Sequence, residues 1–388
     1  MSQTSDVLYM NHAATSFPKA PGVVEAVAEH LRSVAGSAGR GGHTFAAGTE
    51  LLLWETRREL NALFGTREAT RWVFTCNATD AINTALKGYL RPGGHVLASA
   101  LEHNAVARCL RYLGQTAGVD VTRLPYVPGI GADASDIARL VRPDTRLVVI
   151  THASNVTGEI LPIEDLAQAA HEQGVPVLVD AAQSAGVLDL SVEQQELDMV
   201  ACTGHKSLLG PPGTGALYVR PGLEVVPLRH GGTGSQSELD TQPTRWPDAM
   251  ESGTPNGPGL AGLKVALQWV REQTPEVLRR REVELMRQLI EGLADVPGVE
   301  IYGPRNAEQR VGLVSINIAQ EDPAWVAQEL EERGILTRSG LHCAPWAHEA
   351  LGTLQRGTCR LSVGPFTTVE DIERVVKAVA EVAKIALA

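Results

Sequence analysis

The sequence lacks the cysteine patterns that mark disulfide-rich and zinc-binding proteins. Its five cysteines are widely spaced and form no C-x-x-C pair, so neither a disulfide framework nor a metal site is expected. The cysteines are Cys76, Cys109, Cys202, Cys343 and Cys359.

Basic runs and long apolar runs are missing too. The formal net charge is -11 and no Lys/Arg-rich run occurs, which argues against nucleic acid as a partner, because a polyanion would be repelled. The first residues show no basic region followed by an apolar core, and no stretch of about 18 apolar residues occurs, so no membrane segment is expected. These absences predict a cytoplasmic protein that acts on a small molecule or on another protein.

The most informative stretch that is present runs from residue 175 to residue 215. It begins with V-P-V-L-V, an apolar run without alternation that is typical of a strand buried on both faces. This run ends at Asp180. A second apolar segment, Met199 to Cys202, leads into T-G-H-K, which ends at Lys206. Since ligands of open α/β sheets bind at the carboxyl ends of the strands, Asp180 and Lys206 are predicted to share one edge of a sheet.

An aspartate and a lysine at one sheet edge are typical of a pyridoxal phosphate site. The lysine amine forms a Schiff base, and the carboxylate keeps the pyridine nitrogen protonated. Taken singly, an aspartate after a strand usually caps a helix and a loop lysine is usually solvated, but the pair favours the cofactor.

The adjacent G-P-P-G-T-G word resembles a nucleotide P-loop, yet Ala216 and Leu217 occupy its Lys and Ser/Thr positions, which excludes ATP.

The words V-D-A-A-Q and T-G-H-K resemble the class V aminotransferases, a branch of the fold-type I pyridoxal phosphate enzymes, and most closely their cysteine desulfurases. The resemblance implies that Asp180 pairs with the pyridinium, Gln183 bonds the ring hydroxyl and Lys206 binds the cofactor covalently. It also implies that Thr203 and His205 hold the phosphate.

Other segments match the same family along nearly the whole chain. Thr79 corresponds to a phosphate-binding threonine at a strand-to-helix turn, where the N–H of Ala78 and the helix dipole also attract a phosphate. His103, within an E-H-N word, corresponds to the histidine that stacks on the pyridine ring and passes protons. Asn155 corresponds to the asparagine that bonds the phenolic oxygen of the cofactor and the substrate carboxylate.

Two segments resemble those by which a partner subunit completes the site, which implies a homodimer. His43 ends a glycine-rich segment similar to one that crosses to the partner's active site and binds there. Thr254, in a G-T-P-N word, is similar to a threonine that reaches the neighbouring subunit's phosphate. The N-terminal word Y-M-N-H-A-A has Asn11 where relatives have aspartate.

The reaction is indicated by Cys343. This cysteine follows His342 and lies five residues after Arg338, so its neighbours can stabilise a thiolate. A free cysteine is usually a small buried hydrophobe, which is the prediction for the other four. The word R-x-G-x-H-C-A resembles the nucleophile segment of cysteine desulfurases. The short interval between Cys343 and Arg360 resembles that of the group II cysteine desulfurases, in which the loop that carries the nucleophile is tethered. Arg360 corresponds to the arginine that binds the substrate carboxylate in the family.

We therefore predict a homodimeric, pyridoxal phosphate-dependent cysteine desulfurase. Lys206 and His103 move the substrate's α-proton, Arg338 and Arg360 bind the substrate, and Cys343 takes the sulfur of L-cysteine as a persulfide, leaving L-alanine. A thiol or a sulfur-acceptor protein then receives the sulfur. The sequence leaves open a selenocysteine lyase, or another C–S lyase or aminotransferase of the family. The alternative without enzyme activity is a catalytically silent scaffold or sulfur-carrier partner.

The alternation of strands and helices predicts an α/β fold of the fold-type I class. It should contain a mainly parallel sheet between helices and a small C-terminal α/β domain. The predicted divisions are an N-terminal arm over residues 1–20, a large cofactor-binding domain over 21–262 and a small domain over 263–388 that contains Cys343.

Overall fold

The computed structural model of the protein describes residues 7–34, 36, 44–128 and 131–388. The strands are β1 Leu8–Tyr9, β2 Trp72–Thr75, β3 His95–Ala98, β4 Asp120–Arg123, β5 Thr145–Thr151, β6 Val177–Asp180, β7 Met199–Thr203, β8 Gly215–Val219, β9 Val299–Tyr302, β10 Leu313–Ile318, β11 Ile335–Leu336, β12 Arg338–Gly340 and β13 Thr358–Ser362. The α-helices are α1 Val23–Ser33, α2 Thr44–Leu63, α3 Ala78–Tyr89, α4 Asn104–Ala117, α5 Ala134–Leu140, α6 Ile163–Glu172, α7 Gly257–Gln273, α8 Pro275–Ala294, α9 Pro323–Glu332, α10 Pro345–Ala350 and α11 Val369–Ala386. Short 3-10 helices cover Ala69–Arg71, Asp248–Met250 and Ala307–Gln309.

The large sheet of the described chain has the order β2-β8-β7-β6-β5-β3-β4. The pairings from β7 through β4 are parallel, whereas β8 runs antiparallel to β7 and to β2. Successive residues of β5 face opposite layers: Leu147 and Val149 pack with α3 and α4, and Val148 and Ile150 pack with α5, α6 and α7. Both faces are therefore buried, which explains why the central strands are apolar without alternation.

The C-terminal part forms a second sheet of order β12-β13-β10-β9, in which the pairings are antiparallel. Helices α8, α9 and α11 cover it and share its apolar core. The predicted α/β class, with a mainly parallel sheet between helices and a smaller C-terminal α/β unit, is confirmed.

The N-terminal strand β1 pairs in parallel with β11, so the arm packs against the C-terminal part of the chain. The boundary predicted at residue 262 lies inside α7, which ends after the large sheet and before the second. The division into 1–20, 21–262 and 263–388 stays a prediction. Residues 37–43, most of the predicted glycine-rich segment, lie outside the described residues.

Among the described residues, no helix has both the length and the hydropathy that a membrane-spanning segment needs. In the same part of the chain, no group of three or more His, Cys, Asp or Glu side chains is arranged to hold a metal ion.

Candidate active site

A cavity of about 250 Å³ lies at the carboxyl ends of the parallel strands, between the large sheet and the C-terminal part. Polar residues after β3, β5, β6 and β7 meet there because parallel strands present their carboxyl ends at the same edge. Most of the predicted site residues line it: Ala78, Thr79, His103, Asn155, Asp180, Gln183, Thr203, His205, Lys206, Arg338 and Arg360.

Asp180 is the last residue of β6 and is buried. The N–H of Ala182 donates a 2.9 Å hydrogen bond to its Oδ1. Burial raises the pKa of Asp180, whereas this hydrogen bond and the charge of Lys206 lower it. A buried carboxylate that faces a cavity is stabilised by a cationic partner there, and a protonated ring nitrogen would supply one.

Lys206 follows β7 in a turn that the N-terminal arm holds in place. The carbonyl of His205 accepts hydrogen bonds from the N–H of Ser16 at 2.9 Å, from Thr15 Oγ1 at 3.1 Å and from Lys19 Nζ at 3.0 Å. The pKa of Lys206 is lowered to about 8, mainly by burial and also by the charges of Arg360 and Arg338, against the opposing effect of Asp180. A neutral amine, the form that adds to an aldehyde, is therefore accessible near neutral pH.

The part of the cavity that Asn77, Ala78 and Thr79 line is suited to an anion. Helix α3 begins there at Ala78, and its cap Asn77 accepts a 2.9 Å hydrogen bond from the N–H of Asp80. The N–H groups of the first turn and the helix dipole attract a phosphate. Thr203 Oγ1 is buried at the same cavity and has no hydrogen-bond partner among the described residues. An unpaired buried hydroxyl is a donor that a phosphate oxygen would satisfy.

His103 lies on the wall of the cavity as the N-cap of α4. Its Nδ1 accepts a 3.0 Å hydrogen bond from the N–H of Ala105, so the proton of the neutral ring is on Nε2. Burial lowers the pKa of His103 to about 4, and the nearby charges of Lys206 and Arg338 act in the same direction. The ring is thus neutral at physiological pH, as stacking on a cationic ring requires.

Three consecutive carbonyl groups after β5 are held by the C-terminal part. Arg360 Nη1 donates to the carbonyl of Asn155 at 2.8 Å, and Ser315 Oγ donates to that of Val156 at 2.6 Å. Arg310 Nη2 donates to the carbonyl of Thr157. These bonds fix the loop that carries the Asn155 side chain relative to the sheet that carries Arg360.

Cys343 lies on a short turn between β12 and α10. His342 and Cys343 both have positive φ, 47° and 58°, a conformation that is strained for residues other than glycine. The turn is held by hydrogen bonds from Asn155 Nδ2 to the carbonyl of His342, 2.6 Å, and from the N–H of Asn104 to that of Cys343, 2.7 Å. The thiol is exposed, and Arg338 Nη2 lies 3.5 Å from its Sγ.

Comparisons with known proteins agree with this geometry. The family model described as aminotransferase class-V matches residues 8–375. The cysteine desulfurase of Salmonella newport is 31% identical over 377 residues, which is 95% of this chain and 91% of that protein. The chain belongs to the class V aminotransferase family. Within the family, this chain is related to the cysteine desulfurases.

Solved structures of class V relatives have the same fold. The apo cysteine desulfurase from Thermococcus onnurineus NA1 superposes with a TM-score of 0.91 at 29% identity, covering 97% of this chain and 95% of that one. The cysteine desulfurase CsdA of Escherichia coli gives a TM-score of 0.88 at 28% identity, covering 98% and 95%. Class V enzymes depend on pyridoxal phosphate, and the buried carboxylate, the lysine and the anion-binding helix end described above fit this cofactor.

Among the described site residues, Thr254 and Cys343 do not line the cavity, although His342, the neighbour of Cys343, does. Thr254 is exposed beside a separate depression that also contains Thr233 and Asn256. His43 lies outside the described residues. The roles of both at a partner's site stay predictions. Gln183 lines the cavity, and its Nε2 donates to the carbonyl of Ala13 at 3.0 Å.

Sequence reasoning assigned no role to Glu102, although it belongs to the E-H-N word of the family. Its side chain is fully buried, and Oε1 accepts hydrogen bonds from Ser99 Oγ and from the N–H of Thr151, both 2.6 Å. The pKa of Glu102 is raised to about 8, mainly by burial and also by the negative charge of Asp180. The position directly before His103 is the sequence signal that could have identified it.

His342 was noted only as a neighbour of Cys343. Its ring is buried, with Nε2 donating to the carbonyl of Thr358 at 3.1 Å, and burial lowers its pKa to about 2. His342 therefore acts as a neutral anchor of the turn and does not supply a charge to the thiol.

Proposed function

We propose that the protein is a pyridoxal phosphate-dependent cysteine desulfurase of group II, which converts L-cysteine to L-alanine and leaves a persulfide on Cys343. The observation that carries the proposal is the turn of Cys343, bonded to Asn104 and Asn155 at the wall of the cavity that contains Lys206. An exposed thiol on a turn whose neighbouring residue lines a lysine–aspartate cofactor site can serve sulfur transfer, whereas a transaminase needs no such thiol. The short interval from Cys343 to Arg360, which contains α10 and leads into β13, supports group II.

The cofactor would be held by residues that line the cavity. Asp180 would pair with the ring nitrogen, Gln183 would bond the ring hydroxyl, and His103 would stack on the ring. The phosphate would bind Thr203, His205, Thr79 and the N–H groups that start α3, with Thr254 contributed to the partner's site. When bound, pyridoxal phosphate supplies an electron sink for bonds broken at the substrate's carbon atoms.

The chain's own residues account for the remaining steps. Arg360 and Asn155 bind the substrate carboxylate, and Arg338, whose charge acts on Arg360, also contacts Cys343. The amine of Lys206, with a pKa near 8, takes the α-proton and returns it, assisted by His103. The thiolate of Cys343 attacks the substrate sulfur: the S–S bond forms as the C–S bond breaks, and the electron pair left on carbon is protonated to give alanine.

The same proposal includes a homodimer. Helices α1 and α2 and the segment before them expose large apolar side chains, including Phe17 at 64%, Leu31 at 68% and Trp54 at 45% exposure. Single exposed apolar residues are ordinary, but a group of them on adjacent elements is typical of an interface.

The proposal also includes a cytoplasmic location, where free cysteines such as Cys343 stay reduced. A thiol or a sulfur-acceptor protein would receive the sulfur of the persulfide.

The decisive test is incubation of the purified, cofactor-loaded protein with L-cysteine. Alanine should accumulate in proportion to sulfide released with a reducing thiol, and mass spectrometry should find an added sulfur atom on the peptide that contains Cys343. Pyruvate in place of alanine, or a persulfide on another cysteine only, would contradict the proposal.

A further inference from the structure

Arg360 is a buried cation whose contacts among the described residues are all neutral. The residue is 1% exposed. Its Nη1 donates to the carbonyl of Asn155 at 2.8 Å and its Nη2 to Oδ1 of Asn11 at 3.3 Å, while Nε is buried without a partner. No carboxylate in the described part of the chain forms an ion pair with this guanidinium. A buried charge without a counter-charge is unfavourable, so Arg360 stands to gain from an anion that enters the cavity.

The backbone of the N-terminal arm fixes the position of Asn11. Asn11 forms a parallel bridge with Ser362, and the N–H of Ser362 donates to the carbonyl of Met10 at 2.8 Å. Tyr9 Oη donates to the carbonyl of Asn11 at 3.2 Å. Ser362 and Arg360 point to the same face of β13, because they are two residues apart on a strand. A side chain at position 11 is therefore held next to the guanidinium whatever its charge.

We propose that Asn11 is a specificity-determining residue: its neutral amide orients Arg360 and leaves the positive charge of Arg360 for the carboxylate of the substrate. The inference rests on the proposed function, since it takes L-cysteine as the substrate. Aspartate at this position, which differs from asparagine mainly in charge, would pair with Arg360 and compete with the substrate for the same guanidinium.

The electrostatics of the site agree with this role. The pKa of Arg360 is lowered to about 9, mainly by burial and also by the neighbouring positive charge of Arg338. Two arginines at one end of the cavity disfavour each other's charge, so an anion between them is stabilised by both. The amide of Asn11 contributes a hydrogen bond without cancelling this attraction.

The test compares the wild type with Asn11→Asp and with Asn11→Ala on L-cysteine and on L-cysteine methyl ester, which lacks the anionic carboxylate. For Asn11→Asp, KM for L-cysteine should rise about tenfold with kcat within about twofold, and KM for the ester should stay near the wild-type value. Asn11→Ala removes the hydrogen bond and adds no charge, so it should raise KM for L-cysteine by a smaller factor. Equal increases for the acid and the ester, or no increase, would overturn the inference.

A second readout does not depend on the reaction. In the protein freed of cofactor, Asn11→Asp should raise the melting temperature above that of the wild type, because the new carboxylate compensates a buried charge, whereas Asn11→Ala should not. A lower melting temperature or loss of the fold in Asn11→Asp would contradict the inference. If the wild type makes no alanine from L-cysteine, the proposed function fails, whereas an unchanged melting temperature together with an unchanged KM refutes only the role of Asn11.

Discussion

The side-chain amide of Asn155 donates a 2.6 Å hydrogen bond to the carbonyl of His342, the residue before Cys343. The bond joins the loop after β5 in the large sheet to the turn of the candidate nucleophile, 187 positions further along the chain. The carbonyl of Asn155 accepts in turn from Arg360. Asn155 thus connects Arg360, the candidate residue for binding the substrate carboxylate, with the strained turn that contains Cys343.

We expect Asn155→Ala to release this turn. Losing one buried hydrogen bond costs about 1 kcal/mol, so the rate of persulfide formation on Cys343 should fall by about fivefold to tenfold or more, since Asn155 also binds substrate. To separate the two roles, the rate of alkylation of Cys343 by iodoacetamide is measured in the protein freed of cofactor. A change in that rate reports the turn alone. Asn306→Ala, which removes the cap of the 3-10 helix Ala307–Gln309 at a residue that does not line the cavity, is the control and should leave both rates unchanged.

Lys206→Ala should abolish the visible absorbance that the lysine-bound cofactor gives, because the covalent bond is lost. Lys19 is the matched control, since burial also lowers its pKa to about 8 and its amine donates to the carbonyl of His205. Lys19→Ala should keep the absorbance, and borohydride reduction of the wild type should label Lys206 only. Recovery of the label on Lys19 would reverse the assignment.

Cys343→Ala should separate the cofactor from the sulfur chemistry. The variant should bind pyridoxal phosphate with unchanged affinity and still respond spectrally to L-cysteine, because neither step uses the thiol. Alanine formation should fall by at least about a hundredfold, since the nucleophile is absent. Cys76→Ala, which removes the other exposed cysteine, should retain full activity. Alanine produced at the wild-type rate by the Cys343 variant would make this cysteine structural.

Glu102→Gln should stabilise the protein at alkaline pH. Because burial raises the pKa of Glu102 to about 8, the folded state holds a proton that the unfolded chain loses near its ordinary pKa. The stabilising effect of this proton is fully present below roughly pH 4 and is lost as the pH rises towards 8. Glutamine keeps the neutral form at every pH.

The melting temperature of Glu102→Gln minus that of the wild type should therefore increase from about pH 5 to about pH 9, a range that covers most of the window between the two pKa values. Glu272 is exposed and serves as the control: the melting temperature of Glu272→Gln minus that of the wild type should not change over the same pH range. A flat difference for Glu102→Gln would mean that the buried carboxyl is ionised throughout.

The sequence alone determined the parallel core and the main polar groups of the site. The apolar runs of β5, β6 and β7 show no alternation because both faces of these strands are covered, and this is a local property of the sequence. Asp180 and Lys206 follow their strands directly, so strand direction alone brings them to one edge of the sheet. The segment around Cys343 also indicated the reaction, because its functional residues are adjacent in the chain.

Only the tertiary structure decided how these local segments are connected. The Asn11–Arg360 contact joins positions 349 apart, and no periodicity links an N-terminal arm to β13. Glu102 is buried where the segments after β3 and β5 meet, with a hydrogen bond to the N–H of Thr151, so its raised pKa could not be read from an E-H-N word. Hydrogen bonds and desolvation act over a few ångströms in space, whereas sequence patterns report neighbours along the chain. Residues that meet through packing therefore became visible only in the folded molecule.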